Sequence, residues 1–273
     1  MDNRMFLRKI SFDSPIDNDL KIPLLDVCNI EERSLEEIVL SKDTHDNLEN
    51  FLEEHRREDI LYSYNRKPSY KVLLNGDIGC GKTMVAEAIA YELNLPLAIV
   101  RLDSLISSSL RKTVINFHKI VDFIKNKEIV ILFDEFDVIA KERFSFNDIG
   151  EIDHTVSVFS QMLSFYHGKS IILAETNYNT IIDKKILKCF DYKIEFSKPS
   201  EKQILKILGL KLRGVRRQFE LEDEKLLDLF SDYSGADIEQ IVRRAINKMI
   251  LDNKESLTIQ DLEHSIKWRI QNN

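Results

Sequence analysis

Between residues 70 and 196 the chain alternates short apolar, β-branched runs with longer stretches whose apolar residues recur every three or four positions. The short runs are YKVLLN (70–75), LAIVR (97–101), EIVILF (128–133), SIILAET (170–176) and YKIEF (192–196), and the longer stretches cover 81–93, 109–125, 152–165 and 183–189. In the 109–125 stretch Val114, Phe117, Ile120, Val121 and Ile124 fall on one helical face. Strands alternating with helices predict a parallel sheet covered on both faces. After Lys198, Pro199 and Ser200 the strand signals stop, and helices are expected near 200–212, 223–232, 235–251 and 259–270, starting near Ser200, Glu222 or Asp223, Ser234 and Thr258. The expected architecture is α/β: a parallel five-stranded sheet flanked by helices over 34–198, then a small all-helical subdomain over 199–273. One amphipathic helix, about 43–64, precedes the first run, with Leu48, Phe51, Leu52 and Ile60 as its apolar face. Residues 1–33 carry Pro15, Pro23 and several Asp without periodicity and are read as an extended arm.

The loop between the first run and the first helix reads Gly76-Asp77-Ile78-Gly79-Cys80-Gly81-Lys82-Thr83, followed by Met84. This is the G-x-x-x-x-G-K-[ST] spacing of a phosphate-binding loop in its diagnostic strand-to-helix context. Glycines let successive backbone N–H groups turn around a polyphosphate, and the following helix aims its positive end at the same anion. Lys82 is expected to reach the β- and γ-phosphates and Thr83 to ligate Mg²⁺, which makes ATP with Mg²⁺ the first hypothesis. A glycine-rich turn that matches by chance is the simpler alternative, and the strand before and helix after weigh against it.

EIVILF runs into Asp134 and Glu135, so a buried strand delivers two carboxylates to the sheet edge where ligands of open α/β sheets bind. Asp134 is placed to hold the Mg²⁺ shell and Glu135 to polarise an attacking water. SIILAET ends at Thr176 and Asn177, and Asn177 is expected to orient that water or donate to a phosphate oxygen. Without the neighbouring motifs these residues would be an acidic strand end and a turn.

A net charge of −7 disfavours nonspecific nucleic-acid binding, where basic side chains supply most of the affinity. The basic stretch Lys206, Lys211, Arg213, Arg216 and Arg217 is read as a solvated face. Cys28, Cys80 and Cys189 have neither disulfide nor zinc spacing, and no histidine pair has metal-ligand spacing. Cys80 is read as a small residue tolerated in the loop; the alternative, a redox switch, would need the helix-terminal amides to lower its thiol pKa. No run approaches the length of a membrane span and the N-terminus lacks a signal-peptide core, so the expectation is a cytoplasmic protein with no membrane contact.

Together these residues resemble the AAA family of P-loop ATPases from about Leu35 to the C-terminus. GDIGCGKT resembles its Walker A motif, ILFDEFD (131–137) Walker B, and ETN (175–177) sensor 1. LEEIVL (35–40) resembles the segment lining the adenine pocket, through Ile38 and Val39, and YSGADIEQIVRRA (233–245) the lid helix in which Gly235 and Ala236 pack near nucleotide. The resemblance implies ATP hydrolysis, a helical lid and a homo- or hetero-oligomeric ring, usually a hexamer, that remodels or regulates a protein partner. An ATP-sensing module with little hydrolysis is the alternative, which Glu135 opposes; a nucleic-acid-associated loader is a third, which the acidic charge opposes.

Where the family usually carries an arginine pair that reaches a neighbouring subunit's γ-phosphate, this chain has Lys188 and Cys189. Such arginines contribute about 10³–10⁵ in rate, or about 4–7 kcal/mol, and lysine offers a point charge without the planar fork. The resemblance therefore implies a catalytic role for Lys188 that replaces the arginine only in part, and a low intrinsic rate. Asp153 and His154 stand where a Lys-Arg pair usually faces the next subunit, and Ser109 and Leu110 where a pore aromatic is common. The alternative is a different register or a substitute arginine, for which Arg101, Arg111 and Arg143 are available nearby.

Overall fold

A computed structural model describes residues 25–28, 33–101, 105, 110–137, 149–177 and 183–272. The five expected runs form strands β2 (Lys71–Gly76), β3 (Leu97–Arg101), β4 (Val130–Asp134), β5 (Ile171–Thr176) and β6 (Tyr192–Phe196), all mutually parallel where they pair. A further strand, β1 (Leu25–Cys28), lies in the segment read as an arm and pairs antiparallel with β3, so the sheet has six strands in the order β1-β3-β4-β5-β2-β6. Four residues after a proline carry no usable period; β1 exists because β3 offers it an edge. The remaining arm residues, 1–24 and 29–32, lie outside the described residues.

The runs of β2, β4 and β5 are buried on both faces, which is why they read as continuous, whereas β6 at the sheet edge buries only Ile194 and Phe196 and alternates. Leu73, Ile131 and Phe133 face one core with Phe117 and Phe159, from helices α4 (Leu110–Ile124) and α5 (Ile149–Phe165). Val72, Leu74, Val130 and Leu132 face the other, with residues of α1 (Lys42–Arg56) and α3 (Lys82–Glu92). The single helix expected over 43–64 is instead α1 followed by α2 (Glu58–Ser63), with Arg57 between them at φ −121°, ψ 34°. Burial explains the break: α1 buries Leu48, Phe51 and Leu52 and ends in bonds to the β2 approach, with His55 Nε2 2.7 Å from Ser69 O and Glu54 accepting Ser69 N–H, whereas α2 buries nothing.

The short helix α6 (Lys184–Leu187) precedes β6, and then come α7 (Glu201–Lys211), α8 (Glu224–Phe230), α9 (Gly235–Leu251) and α10 (Ile259–Asn272). These last four gather around a third core of Ile204, Leu208, Phe230, Ile238, Val242 and Leu262. Capping residues set the starts: Ser200 and Gln203 form a reciprocal box on α7, Ser234 and Asp237 one on α9. No helix among the described residues is long and apolar enough to cross a membrane.

Candidate functional site

The register gathers the three polar strand tips on one edge. β2 lies between β5 and β6, pairing Asn75 with Thr176 and Gly76 with Phe196, while β4 pairs Phe133 with Ala174. Because β2 is followed in space by β5 and β6 rather than β3, its C-terminal end opens at the point where strand order reverses, the usual ligand crevice of such sheets. Gly79 and Gly81 have φ +78° and +97°, and this left-handed geometry wraps residues 76–83 around the N-terminus of α3. Ile78 at the loop tip is 72% exposed and Asp77 is exposed, while Met84 packs beneath the loop on the α1–α3 side.

Lys82 is the first residue of α3 and only 3% exposed. Its ammonium donates to Gly76 O (2.8 Å) and Asp77 O (2.9 Å) and lies 3.8 Å from Glu175 Oε1. Thr83 Oγ1 donates to Glu175 Oε2 at 2.9 Å. Glu175 is 9% exposed, and it binds together the two side chains that the loop spacing assigns to phosphate and metal. Burial pushes the Glu175 carboxyl up, against the Thr83 hydrogen bond and the Lys82 charge; burial pulls the Lys82 ammonium down, against Glu175. Glu175 was absent from the residues expected at the site. The available signal is a carboxylate one step inside an otherwise apolar strand, which burial tolerates only with partners.

Glu135 follows β4 in a left-handed conformation, φ +50°, and is exposed. Its neighbour holds it there: Phe136 is fully buried with its ring 4.8 Å from that of Phe159, and its N–H donates to Glu175 O at 2.8 Å. The Asp134 carboxylate accepts the Glu135 N–H at 2.8 Å. Asn177 sits half-buried just beyond β5. Asn75, one residue before the loop, has a buried Oδ1 with no hydrogen-bond partner.

These residues fit a magnesium nucleotide. Lys82 and Thr83 direct their donors at loop carbonyls and one carboxylate, contacts exchangeable for phosphate oxygens. Asn75 keeps an acceptor in reserve. Among the described residues no three His, Cys, Asp or Glu gather to hold a metal unaided. A hard cation here would draw further ligands from phosphate and water, as Mg²⁺ commonly does.

The lid meets the loop directly. Ala236 N–H, in the first turn of α9, donates to Gly79 O at 3.0 Å. A Cβ on Gly79 would lie 2.5 Å from Ser234 Oγ, and one on Gly235 3.5 Å from Gly79 O. Ser234 caps α9 with Asp237, which in turn pairs with Arg269 of α10. Ile38 belongs to the core on the α3 side of the sheet and Val39 packs on the lid core, so the 35–40 segment bridges the two. Both line a cleft of about 710 Å³ with Leu35, Leu40, Lys206 and Leu210. Gly235 and Ala236 border the phosphate loop rather than that cleft.

Lys188 is exposed at the end of α6, beside exposed Lys184 and Lys185. Cys189 turns the other way, its Sγ 3.2 Å from Lys185 O and 3.6 Å from Ser160 O, so it is committed to its own fold. Ser109 and Arg143 lie outside the described residues, as do the side chains of Arg101, Leu110, Arg111, Asp153 and His154. The redox-switch alternative for Cys80 loses support, because burial pushes the thiol up and Asp77 adds to it, outweighing Lys82. The basic stretch is a solvated face as expected, with Lys211 paired to Glu239 at 2.8 Å.

Residues 72–198 match the family model described as "ATPase family associated with various cellular activities (AAA)". The chain is 33% identical over 239 residues to an uncharacterized AAA family ATPase, y4kL, of Sinorhizobium fredii, covering 86% of this chain and 71% of that protein. It is 27% identical over 202 residues to a putative 26S proteasome regulatory subunit homolog of Methanothermobacter thermautotrophicus, covering 72% and 54%. With a proteasome-activating nucleotidase of Thermococcus onnurineus it shares 30% identity over 220 residues, covering 78% and 55%. The chain thus spans about half the length of the last two.

Proposed function

The chain belongs to the AAA family of ATPases, and from that premise we propose that it binds Mg²⁺-ATP at the β2–α3 loop and couples hydrolysis to remodelling or regulating a protein partner. The observation that carries the reading is the convergence of Lys82 and Thr83, Asp134 and Glu135, and Asn177 on neighbouring strand ends, beneath a lid helix bonded to Gly79. Bound Mg²⁺-ATP supplies the phosphoanhydride to be cleaved and a metal that neutralises its developing charge. In this reading Lys82 leaves Gly76 O and Asp77 O for the β- and γ-phosphates, and Thr83 and Asp134 hold the metal shell. Glu135, held outward by Phe136, accepts a proton from the attacking water while Asn177 orients it. Ile38 and Val39 border the base and Gly235 and Ala236 close over the loop.

Relatives named for proteasome regulation or activation support a protein partner, and the family resemblance supports a ring. In such a ring Lys188, exposed where Cys189 is not, supplies the cationic contact from the neighbouring subunit. A lysine there predicts slow turnover by the chain alone, completed by a partner subunit. The test is nucleotide binding and ATPase rate against protein concentration for wild type, Lys82→Ala, Glu135→Gln and Lys188→Ala. Lys82→Ala should lose binding, and Glu135→Gln should keep binding and lose turnover. Turnover in Glu135→Gln equal to wild type would refute the catalytic assignment, and fast wild-type turnover unaffected by Lys188→Ala would refute the trans role.

A further inference from the structure

Glu175 has no part in the roles assigned above, yet among the described residues it is the one carboxylate that touches both Lys82 and Thr83. Its backbone is fixed opposite Leu74 in the β2–β5 ladder, and its carbonyl accepts the Phe136 N–H, so the side chain reaches the loop from a rigid strand. The Thr83 hydroxyl has one proton and two lone pairs. Donating that proton to Glu175 Oε2, at 2.9 Å, leaves both lone pairs for a metal. The ammonium of Lys82, at 3.8 Å from Oε1, sits beyond a close ion pair and makes its short contacts to loop carbonyls.

Resting on the nucleotide site proposed above, we propose that Glu175 is a positioning residue that sets the metal dependence of nucleotide binding: it holds the Thr83 hydroxyl proton, aims the oxygen lone pairs at Mg²⁺, and penalises nucleotide that arrives without the metal. The penalty follows from charge. A buried carboxylate beside the loop repels a metal-free polyphosphate and competes for Lys82, and a divalent cation carried by the nucleotide would offset that repulsion. Glu175 therefore acts oppositely on the two forms of the ligand, which no purely structural role does.

The experiment measures ATP and ADP affinity by calorimetry, with Mg²⁺ and with chelator, for wild type, Glu175→Gln, Thr83→Ala and the double variant. Glu175→Gln preserves shape, and its metal-free binding doubles as a check on the fold. The expected result is metal-free affinity equal to or above wild type, and a Mg²⁺-dependent gain smaller by about 10–100-fold, the usual effect of removing a partner that orients a metal ligand. In the Thr83→Ala background the same substitution should shrink the Mg²⁺-dependent gain by less than it does in wild type, because the part that Glu175 exerts through the hydroxyl is already gone and only the charge repulsion remains. An unchanged Mg²⁺ dependence in Glu175→Gln would overturn the inference, as would a parallel fall in both affinities or loss of folding. Absence of any nucleotide binding by the wild-type chain would overturn the proposed function itself, and a normal wild-type profile separates the two failures.

Discussion

Gly79 and Gly81 allow the lid contact to be weighed separately from loop strain. Both have positive φ, so Ala at either forces an L side chain into the left-handed region at about 1–2 kcal/mol. The neighbourhoods differ: a Cβ on Gly81 meets nothing within 4 Å, whereas one on Gly79 would lie 2.5 Å from Ser234 Oγ and 3.0 Å from Ala236 Cβ. Gly79→Ala must therefore displace the start of α9, losing the Ala236 N–H bond to Gly79 O, about 1 kcal/mol, and adding about 1–3 kcal/mol of overpacking. Its excess over Gly81→Ala is then about 2–4 kcal/mol, a Tm lower by at least about 4 °C for a chain of this size. Thermal unfolding of both variants without nucleotide measures the difference. Hydrogen exchange at the Ala236 amide reports the contact directly and should accelerate only in Gly79→Ala. Equal Tm values with Ala236 exchange unchanged in both would refute the direct seating of the lid on the loop.

Two further predictions concern titratable groups. Burial pulls His55 below its ordinary pKa, ahead of the opposing Ser69 bond and nearby Glu54 and Glu58. Below about pH 6.5 the unfolded chain binds a proton that folded His55 resists, so stability falls with pH from there down to the folded pKa and then levels. Denaturant titrations from pH 8 to 5 should show a shallower fall for His55→Gln than for wild type; identical slopes would refute the assignment. Cys80, with its thiol pushed up by burial, should react with iodoacetamide at pH 7.5 more slowly than free cysteine, read as the difference between wild type and Cys80→Ser. A faster reaction would show that the helix amides prevail after all, and Mg²⁺-ATP should protect the thiol if the loop binds phosphate.

Much of the fold was legible because its signals are local. The runs LAIVR and YKIEF became β3 and β6 with their expected ends, the first as a near-continuous apolar run and the second through its alternation of buried Ile194 and Phe196 with exposed Lys193 and Glu195. The lid helices began near their Ser and Asp caps because a cap satisfies orphan amides within one turn. The loop glycines announced left-handed backbone, and Asp134 and Glu135 a strand tip, for equally local reasons. What sequence could not supply was every property that depends on a distant neighbour. β1 is a strand only beside β3, and α1 ends at Arg56 only because His55 and Glu54 meet Ser69. Burial in the folded loop pushes the Cys80 thiol up, and Cys189 faces inward because α5 and α6 flank it.

The spacing GDIGCGKT by itself determined that Lys82 and Thr83 would stand at a helix N-terminus, since glycine geometry and helix polarity act within eight residues. Only the tertiary structure decided what those two side chains touch. Parallel pairing of β2 with β5 sets Glu175 against them across 92 residues of chain, and the fold of the lid sets Ala236 on Gly79. Both contacts are made by strand register and helix docking, which bring together residues that no local pattern relates.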